Sequence, residues 1–229
     1  MNTGTENNTA RIGFIGAGRA GCSLGKIIAE GAAAIGMPSA TVADAVAGAT
    51  GADVAAGADI ALSGYYSRKP ASARDAAAFT GACAYGSLGA LLAESDIVVA
   101  SVPDDAIAEI WEQVSALLKP AARRPRAICH LSGGMTSEVF AGADSLGVEA
   151  ASLHPLYAIA NRHSSWQGLS RASFTFEGSD AACAAFAPLT ELLCAQGAAV
   201  ARIGTDKKNL YHAACVFFSN FACGLAGIG

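Results

Sequence analysis

Arg11-Ile12-Gly13-Phe14-Ile15-Gly16-Ala17-Gly18-Arg19-Ala20-Gly21 is the stretch that decides the fold of this 229-residue chain. A short apolar run enters three glycines spaced Gly-x-Gly-x-x-Gly, and an amphipathic pattern follows over residues 22–30. That succession reads as strand, tight turn and helix. Each glycine has its own physical reason. Gly16 permits the tight turn, Gly18 lets bare backbone approach a diphosphate, and Gly21 allows the helix to pack close to the strand. Ala17, Arg19 and Ala20 complete the turn, where the unpaired N–H groups of a helix start attract an anion. Residues 16–21 are therefore a candidate dinucleotide-binding turn.

Downstream, the pattern alternates. Residues 60–66 read as a second strand, followed by the turn Ser67-Arg68-Lys69-Pro70 and a helix over 71–79. The Ala-, Gly- and Asp-rich residues 31–63 read as an insertion, or as an extended helix with a loop. Residues 96–102 form a near-continuous apolar run, as expected of a strand covered on both faces. Pro103 stops it, and Asp104 or Asp105 is placed to cap a helix over 106–118. Further strands are expected at 127–131, 149–153, 173–177 and 198–203, with a helix over 181–196 and one long helix from 206 to about 225. The class implied is α/β: a doubly wound, mostly parallel Rossmann-type sheet followed by the start of a helical segment. The expected division is a disordered leader over 1–10, a nucleotide-binding domain over 11–203, and the first helix of a helical C-terminal domain over 204–229.

Composition narrows the function classes. Hydrophobic residues make up 52% and charged residues 15%, so most of the length can pay for a packed core. The net charge of −4 gives no electrostatic footprint for nucleic acid or an anionic membrane surface. Seven cysteines are scattered without a Cys-x-x-Cys pair or zinc-ligand spacing, which reads as free thiols in a reducing compartment. With no signal-peptide pattern at the start and no apolar run of the ~18 residues a membrane span needs, the expectation is a cytoplasmic protein.

Candidate chemistry follows from the strand ends, because open α/β sheets bind ligands beyond the carboxyl ends of their strands. Ser67, Arg68 and Lys69 stand where an NAD enzyme usually carries an acidic residue for the ribose hydroxyls. A hydroxyl and two cations suit a 2′-phosphate, so the preferred cofactor is NADP over NAD. Val102 and Pro103 follow another strand and are expected to line the nicotinamide side. His130 and Ser132 to Gly134 follow the next, and His154 ends the one after that. Histidine suits proton transfer near neutral pH, and hydride reduction of a carbonyl or imine needs one proton donor.

The terminal helix holds a second constellation. At 100° per residue, Lys208, His212, Cys215 and Ser219 share one stripe, while Tyr211, Val216, Phe217, Phe218 and Phe221 take much of the remaining circumference. A polar stripe on so apolar a helix faces water, a ligand or a partner. Pointed into a cleft, Lys208 would orient or protonate a carbonyl oxygen and His212 would bind the substrate, with Ser132 orienting it. Phe217, Phe218, Phe221 and Leu225 are candidates for a partner interface.

The succession of the glycine turn, Tyr66-Ser67-Arg68, His130-Leu131-Ser132-Gly133, Ala151-Ser152-Leu153-His154-Pro155-Leu156, Phe176-Glu177-Gly178 and Lys208-Asn209-Leu210-Tyr211-His212-Ala213-Ala214 resembles one group. These are the predicted oxidoreductases that join a Rossmann-like domain to domain-of-unknown-function 2520. They are similar in layout to pyrroline-5-carboxylate reductase, ketopantoate reductase and 6-phosphogluconate dehydrogenase. The resemblance implies an NADP-linked reductase whose all-helical C-terminal domain continues for several helices and helps to form a homodimer. Lys208 matches the lysine of the Lys-x-x-x-Asn motif in 6-phosphogluconate-type enzymes, with His212 in place of the asparagine. His154-Pro155 is similar to the His-Pro of prephenate dehydrogenases, where the histidine contacts substrate. Two functions are therefore expected in competition: a reductase of a small carbonyl, imine or 2-oxo acid, ketopantoate-like in one form, or a non-catalytic nucleotide-binding sensor or partner subunit.

Overall fold

The strand–turn–helix start is present. In the computed structural model, which describes residues 9–35, 60–221 and Gly227, β1 (Ala10–Ile15) leads through the glycine turn into α1 (Arg19–Ile35). The helix begins at Arg19, so the last glycine lies inside its first turn. Residues 31–35 prolong α1, and the rest of the Ala/Gly-rich stretch up to residue 59 lies outside the described residues, as do residues 1–8 of the leader expected over 1–10; Ala10, placed in that leader, is instead buried as the first residue of β1, paired with Ile60.

Eight strands form one sheet in the order β3-β2-β1-β4-β5-β6-β7-β8. They are β2 (Ile60–Tyr66), β3 (Cys83–Ala84), β4 (Ile97–Ala100), β5 (Ala127–His130), β6 (Glu149–Leu156), β7 (Ser173–Gly178) and β8 (Ala199–Arg202). The helices between them are α2 (Pro70–Thr80), α3 (Leu88–Ala93), α4 (Asp104–Leu118), the single turn α5 (Trp166–Leu169) and α6 (Asp180–Ala195). All neighbouring pairs are parallel except β6 with β7. The chain crosses from β3 back to β4, beside β1, so the order reverses at β1 and β4 and their carboxyl ends diverge into a crevice.

Side chains alternate across the sheet because strands have period two. Ile12, Phe14, Ile97 and Val99 face one layer with Leu24, Ile27 and Ile28 of α1 and Leu189, Leu192 and Leu193 of α6. Ile15, Val98, Ala100 and Ile128 face the other, against Leu91 of α3 and Ile107, Trp111 and Val114 of α4. Burying each such side chain stabilises the fold by about 1.5–3 kcal/mol relative to leaving it in water. These two layers are what hold the strand ends in register.

Four expectations need correction. The α4 N-cap position is Pro103, not an aspartate, and no side chain caps it; Asp104 and Asp105 sit in the first helical turn, where the helix dipole favours them. The strand expected over 149–153 runs on to Leu156, so His154 and Pro155 lie within it. The reason is β7: parallel β5 supports β6 only through Ser152, whereas antiparallel β7 pairs it through Leu156. The short elements β3, α3 and α5 were not legible in the hydrophobic pattern. Finally, the single long terminal helix is divided. A 3-10 turn at Thr205–Lys207 precedes α7 (Lys208–Val216), and Phe217–Phe221 winds as a π-helical turn. Ser219 Oγ donates to the carbonyls of Cys215 (2.8 Å) and Val216 (3.4 Å), a side-chain bond that competes with regular helical pairing. Leu225 lies outside the described residues.

Candidate functional site

At the switch point, Gly16 adopts φ +96°, and a Cβ there would come within 2.2 Å of the Ser101 carbonyl oxygen. Only glycine fits. A Cβ on Gly21 would come within 2.6 Å of Ser101 Oγ and 2.9 Å of the Gly16 carbonyl oxygen, so α1 is pressed onto the glycine turn and the end of β4. Gly18 is different: the space its side chain would take is open. That open cradle, beside the N-terminus of α1, is what a diphosphate requires.

A cleft of about 410 Å³ runs from this turn across the sheet edge. Gly16, Ala17 and Gly18 border it on one side, Tyr66, Ser67, Arg68, Lys69 and Ser72 on another, and Val102, Pro103 and Ala106 on the third. Arg68 and Lys69 are exposed, and Ser67 Oγ accepts the Lys69 N–H at 3.3 Å. The carboxylate bordering this cleft, Glu109, comes from α4 and accepts a hydrogen bond from Gln113 at 3.1 Å.

A second cleft, also about 410 Å³, shares Gly18, Ser101, Val102 and Pro103 with the first. Arg19, Ala20, Asp104, Leu131, His154, Pro155, Tyr157 and Ile159 enclose it. The two form one trough over the carboxyl ends of β1, β4, β5 and β6.

His154 marks the inner end of that trough. Its Nδ1 lies 2.9 Å from the Tyr211 hydroxyl, which Thr175 hydrogen-bonds from β7. A Cβ on Gly133 would come within 2.8 Å of both His154 Nε2 and His212 Nδ1, so both imidazoles close over this glycine. His212 Nδ1 is buried and has no hydrogen-bond partner. Beneath them Lys208 is 0% exposed, its Nζ donating to Ser152 Oγ. The negative charges of Glu177 and Asp104 oppose the burial that draws the Lys208 ammonium below the ordinary lysine range. Glu177 itself is buried and accepts Ser137 N–H, Ser137 Oγ and Thr205 Oγ, each at 2.8 Å, which ties β7 to the turn after β5 and to the entry of α7.

These surroundings set protonation. Burial first, and then the charges of Lys208 and His212, push His154 down to about 4, leaving it neutral near pH 7. Burial also lowers His130, whose Nε2 faces the Thr136 carbonyl at 3.1 Å and whose Nδ1 accepts the Ser132 N–H at 3.2 Å. His130 is thereby a satisfied core histidine beneath the site.

The residues singled out in the sequence are only partly brought together. His154, Lys208 and His212 converge, but of the three only His154 borders the cleft. The stripe on α7 therefore faces the sheet, not solvent, through Lys208, His212 and Cys215, whereas Ser219 is exposed. Ser132, expected to orient substrate, has its hydroxyl occupied otherwise: it donates to Asp104 at 2.6 Å and accepts the N–H groups of Gly134 (3.2 Å) and Met135 (3.1 Å). It shapes the turn on which the imidazoles rest. Tyr211, assigned to the apolar circumference, belongs to the site. Glu177 and Ser152 were also missed; a carboxylate at an alternate position of an apolar strand was the available signal for Glu177.

The sequence matches no protein-family model and no curated protein sequence, so the likeness to domain-of-unknown-function 2520 rests on the quoted motifs alone. Solved structures do match. A candidate NADP oxidoreductase from Bacteroides fragilis superposes with a TM-score of 0.66 at 18% identity, over 97% of this chain and 71% of that one. An imine reductase from Myxococcus stipitatus in complex with NADP+ gives 0.62 at 16%, over 95% and 63%. The 3-hydroxyisobutyrate dehydrogenase of Mycobacterium tuberculosis gives 0.60 at 19%, over 91% and 58%. The chain thus spans 58% to 71% of the length of these structures. At these identities the likeness establishes the fold, a Rossmann-like α/β sheet ending in helix.

Proposed function

We propose that this chain is an NADP-dependent oxidoreductase acting on a small carbonyl, imine or 2-oxo acid, ketopantoate-like acids among them. The observation that carries the reading is the continuity of the two clefts. One end offers Ser67, Arg68 and Lys69, the middle offers the open Gly18 cradle and the Val102-Pro103 backbone, and the far end offers His154. That order of groups suits a dinucleotide with a 2′-phosphate at one end and a reacting ring at the other. Two of these neighbours in fold carry the names of an imine reductase and a 3-hydroxyisobutyrate dehydrogenase, which supports the same direction.

The bound nicotinamide would supply or accept the hydride. The remaining work falls to this chain. With Tyr211 donating to Nδ1, neutral His154 keeps its proton on Nε2, at the inner end of the cleft, where it can hydrogen-bond a carbonyl oxygen or imine nitrogen and pass on the proton that hydride addition requires while Nδ1 takes up the Tyr211 proton, which water then restores. Lys208 acts through its field: a buried ammonium behind the two imidazoles favours negative charge developing on the substrate. The unpartnered Nδ1 of His212 is reserved for a polar group of the substrate. Asp104 and Ser132 hold the intervening turn.

Calorimetric titration with NADPH and NADH, followed by steady-state oxidation of NADPH across imines and 2-oxo acids, tests the reading. Tighter NADPH binding and turnover of at least one compound are expected. Absence of heat with either nucleotide overturns it. Binding without turnover of any panel member favours the second reading, a nucleotide-binding partner subunit. That reading draws support from the 70% and 74% exposure of Leu210 and Phe218 on the terminal helix.

A further inference from the structure

A residue that no sequence motif marked joins the two halves of the cofactor cleft. Arg162 lies on the loop over residues 157–165, between β6 and α5. Its Nη2 donates to the carbonyl of Ala17, inside the glycine turn, and to the carbonyl of Ser72 at 3.0 Å, in the first turn of α2. Its Nη1 pairs with Asp75, one turn further along α2, at 2.9 Å. One planar guanidinium therefore bonds the diphosphate end of the cleft and the helix that begins directly after Ser67-Arg68-Lys69. Those segments come from different strands, and among the described residues no other side-chain bond or ion pair links the glycine turn to α2.

The loop is built to hold this fork in place. Asn161 Oδ1 accepts the N–H groups of His163 (2.8 Å) and Ser164 (3.1 Å), and Asn161 N donates to Ser165 Oγ at 2.9 Å. Ser23 of α1 donates to the Arg162 carbonyl at 3.4 Å. His163 also reaches Asp75 at 3.1 Å and packs its ring on Phe79 of α2, with centroids 4.7 Å apart. The same loop supplies Tyr157 and Ile159 to the second cleft, beside His154. It therefore touches the substrate end and the cofactor end of the trough together.

We infer that Arg162 is a positioning residue that sets the separation between the glycine turn and the Ser67–Lys69 turn, and so sets the preference for a 2′-phosphorylated dinucleotide. This rests on the reading of the trough as an NADP site. The physical argument is fork geometry. Arginine reaches three acceptors at fixed angles, whereas a lysine is one point charge on a flexible stem and cannot hold all three at once. Without the fork, the start of α2 is free to move relative to Ala17. Contacts made only by the 2′-phosphate then weaken more than contacts made by the diphosphate, which both dinucleotides share.

The experiment measures NADPH and NADH dissociation constants for the wild type, Arg162→Met and Arg162→Lys by fluorescence titration, below the melting temperature of each. R162M is expected to weaken NADPH binding by about tenfold or more and NADH binding by less, so that the NADPH/NADH preference falls. R162K is expected to lie between, and it provides the measurement should R162M not fold. Wild-type preference in R162M, or in R162K where only that variant folds, overturns the inference, because a purely structural arginine would change stability and leave the ratio alone. A wild type that binds neither nucleotide overturns the reading of the site, and the inference with it.

Discussion

At the residue scale, the imidazole of His154 is where protonation and chemistry meet. Replacing it by glutamine keeps an N–H donor at the inner end of the cleft but removes the imidazole that can pass a proton between its two nitrogens, while leaving the glycine turn untouched. H154Q is expected to lower kcat/KM by about 100-fold or more, the range for loss of an acid–base group, while calorimetry finds NADPH affinity unchanged. Equal losses in both would show that His154 holds the fold or the cofactor instead. Its displaced titration also predicts a pH signature. Folding lowers His154 from the ordinary 6.5 to about 4, so between those values the unfolded chain binds a proton that the folded one does not. Its contribution to stability is thus present above pH ~6.5 and is lost progressively as the pH falls toward 4. His130 shifts in the same direction. Chemical denaturation of the wild type from pH 7.5 to 4.5 should show this decline, and H154Q should show a shallower one. Parallel slopes would mean that His154 titrates normally in the folded protein.

At the element scale, the site exists because α7 docks across the paired strands β6 and β7, with Lys208 on Ser152 and Tyr211 on His154, and Glu177 tethers its entry. It accepts three hydrogen bonds from two segments, and its charge opposes the desolvation of Lys208. A glutamine at this position faces the Ser137 N–H or Oγ with a donor of its own and leaves the buried Lys208 less compensated. E177Q is expected to cost about 2–4 kcal/mol in urea denaturation. It should also loosen α7, visible as faster amide exchange at Lys208 to His212 than in wild type. Wild-type stability and exchange would show that α7 is held by its other contacts.

At the scale of the whole molecule, the segment from α7 into the following π-helical turn exposes an apolar surface made by Leu210, Val216 and Phe218, with Leu210 opposite Lys208 around the α7 axis. A second copy of the chain is the occupant proposed for this face, in keeping with the homodimer implied by the sequence resemblance. Sedimentation velocity should find a dimer whose dissociation constant rises when Leu210 and Phe218 are both replaced by aspartate. A wild-type monomer at micromolar concentration would exclude it. Among the described residues, no helix is long and apolar enough to cross a membrane.

The sheet, the glycine turn and the helix layers were legible in the chain because they rest on local periodicity. Apolar runs of four to seven residues, the three spaced glycines and the amphipathic helices report neighbours close in sequence, and no distant residue has to be known to read them. The reversal of β7 against β6 was invisible to such patterns, since a strand's own residues alternate alike in either direction. So was the burial of Lys208, because periodicity shows which residues share a helix face but not what that face meets. The pairing of His154 with Tyr211 and the Arg162 fork across Ala17, Ser72 and Asp75 likewise depend on segments separated by 57 to 145 positions. Only packing of the finished sheet brings those segments within hydrogen-bond range, which is why the composition of the site was settled by tertiary structure while its glycine turn was already written in the first twenty-one residues.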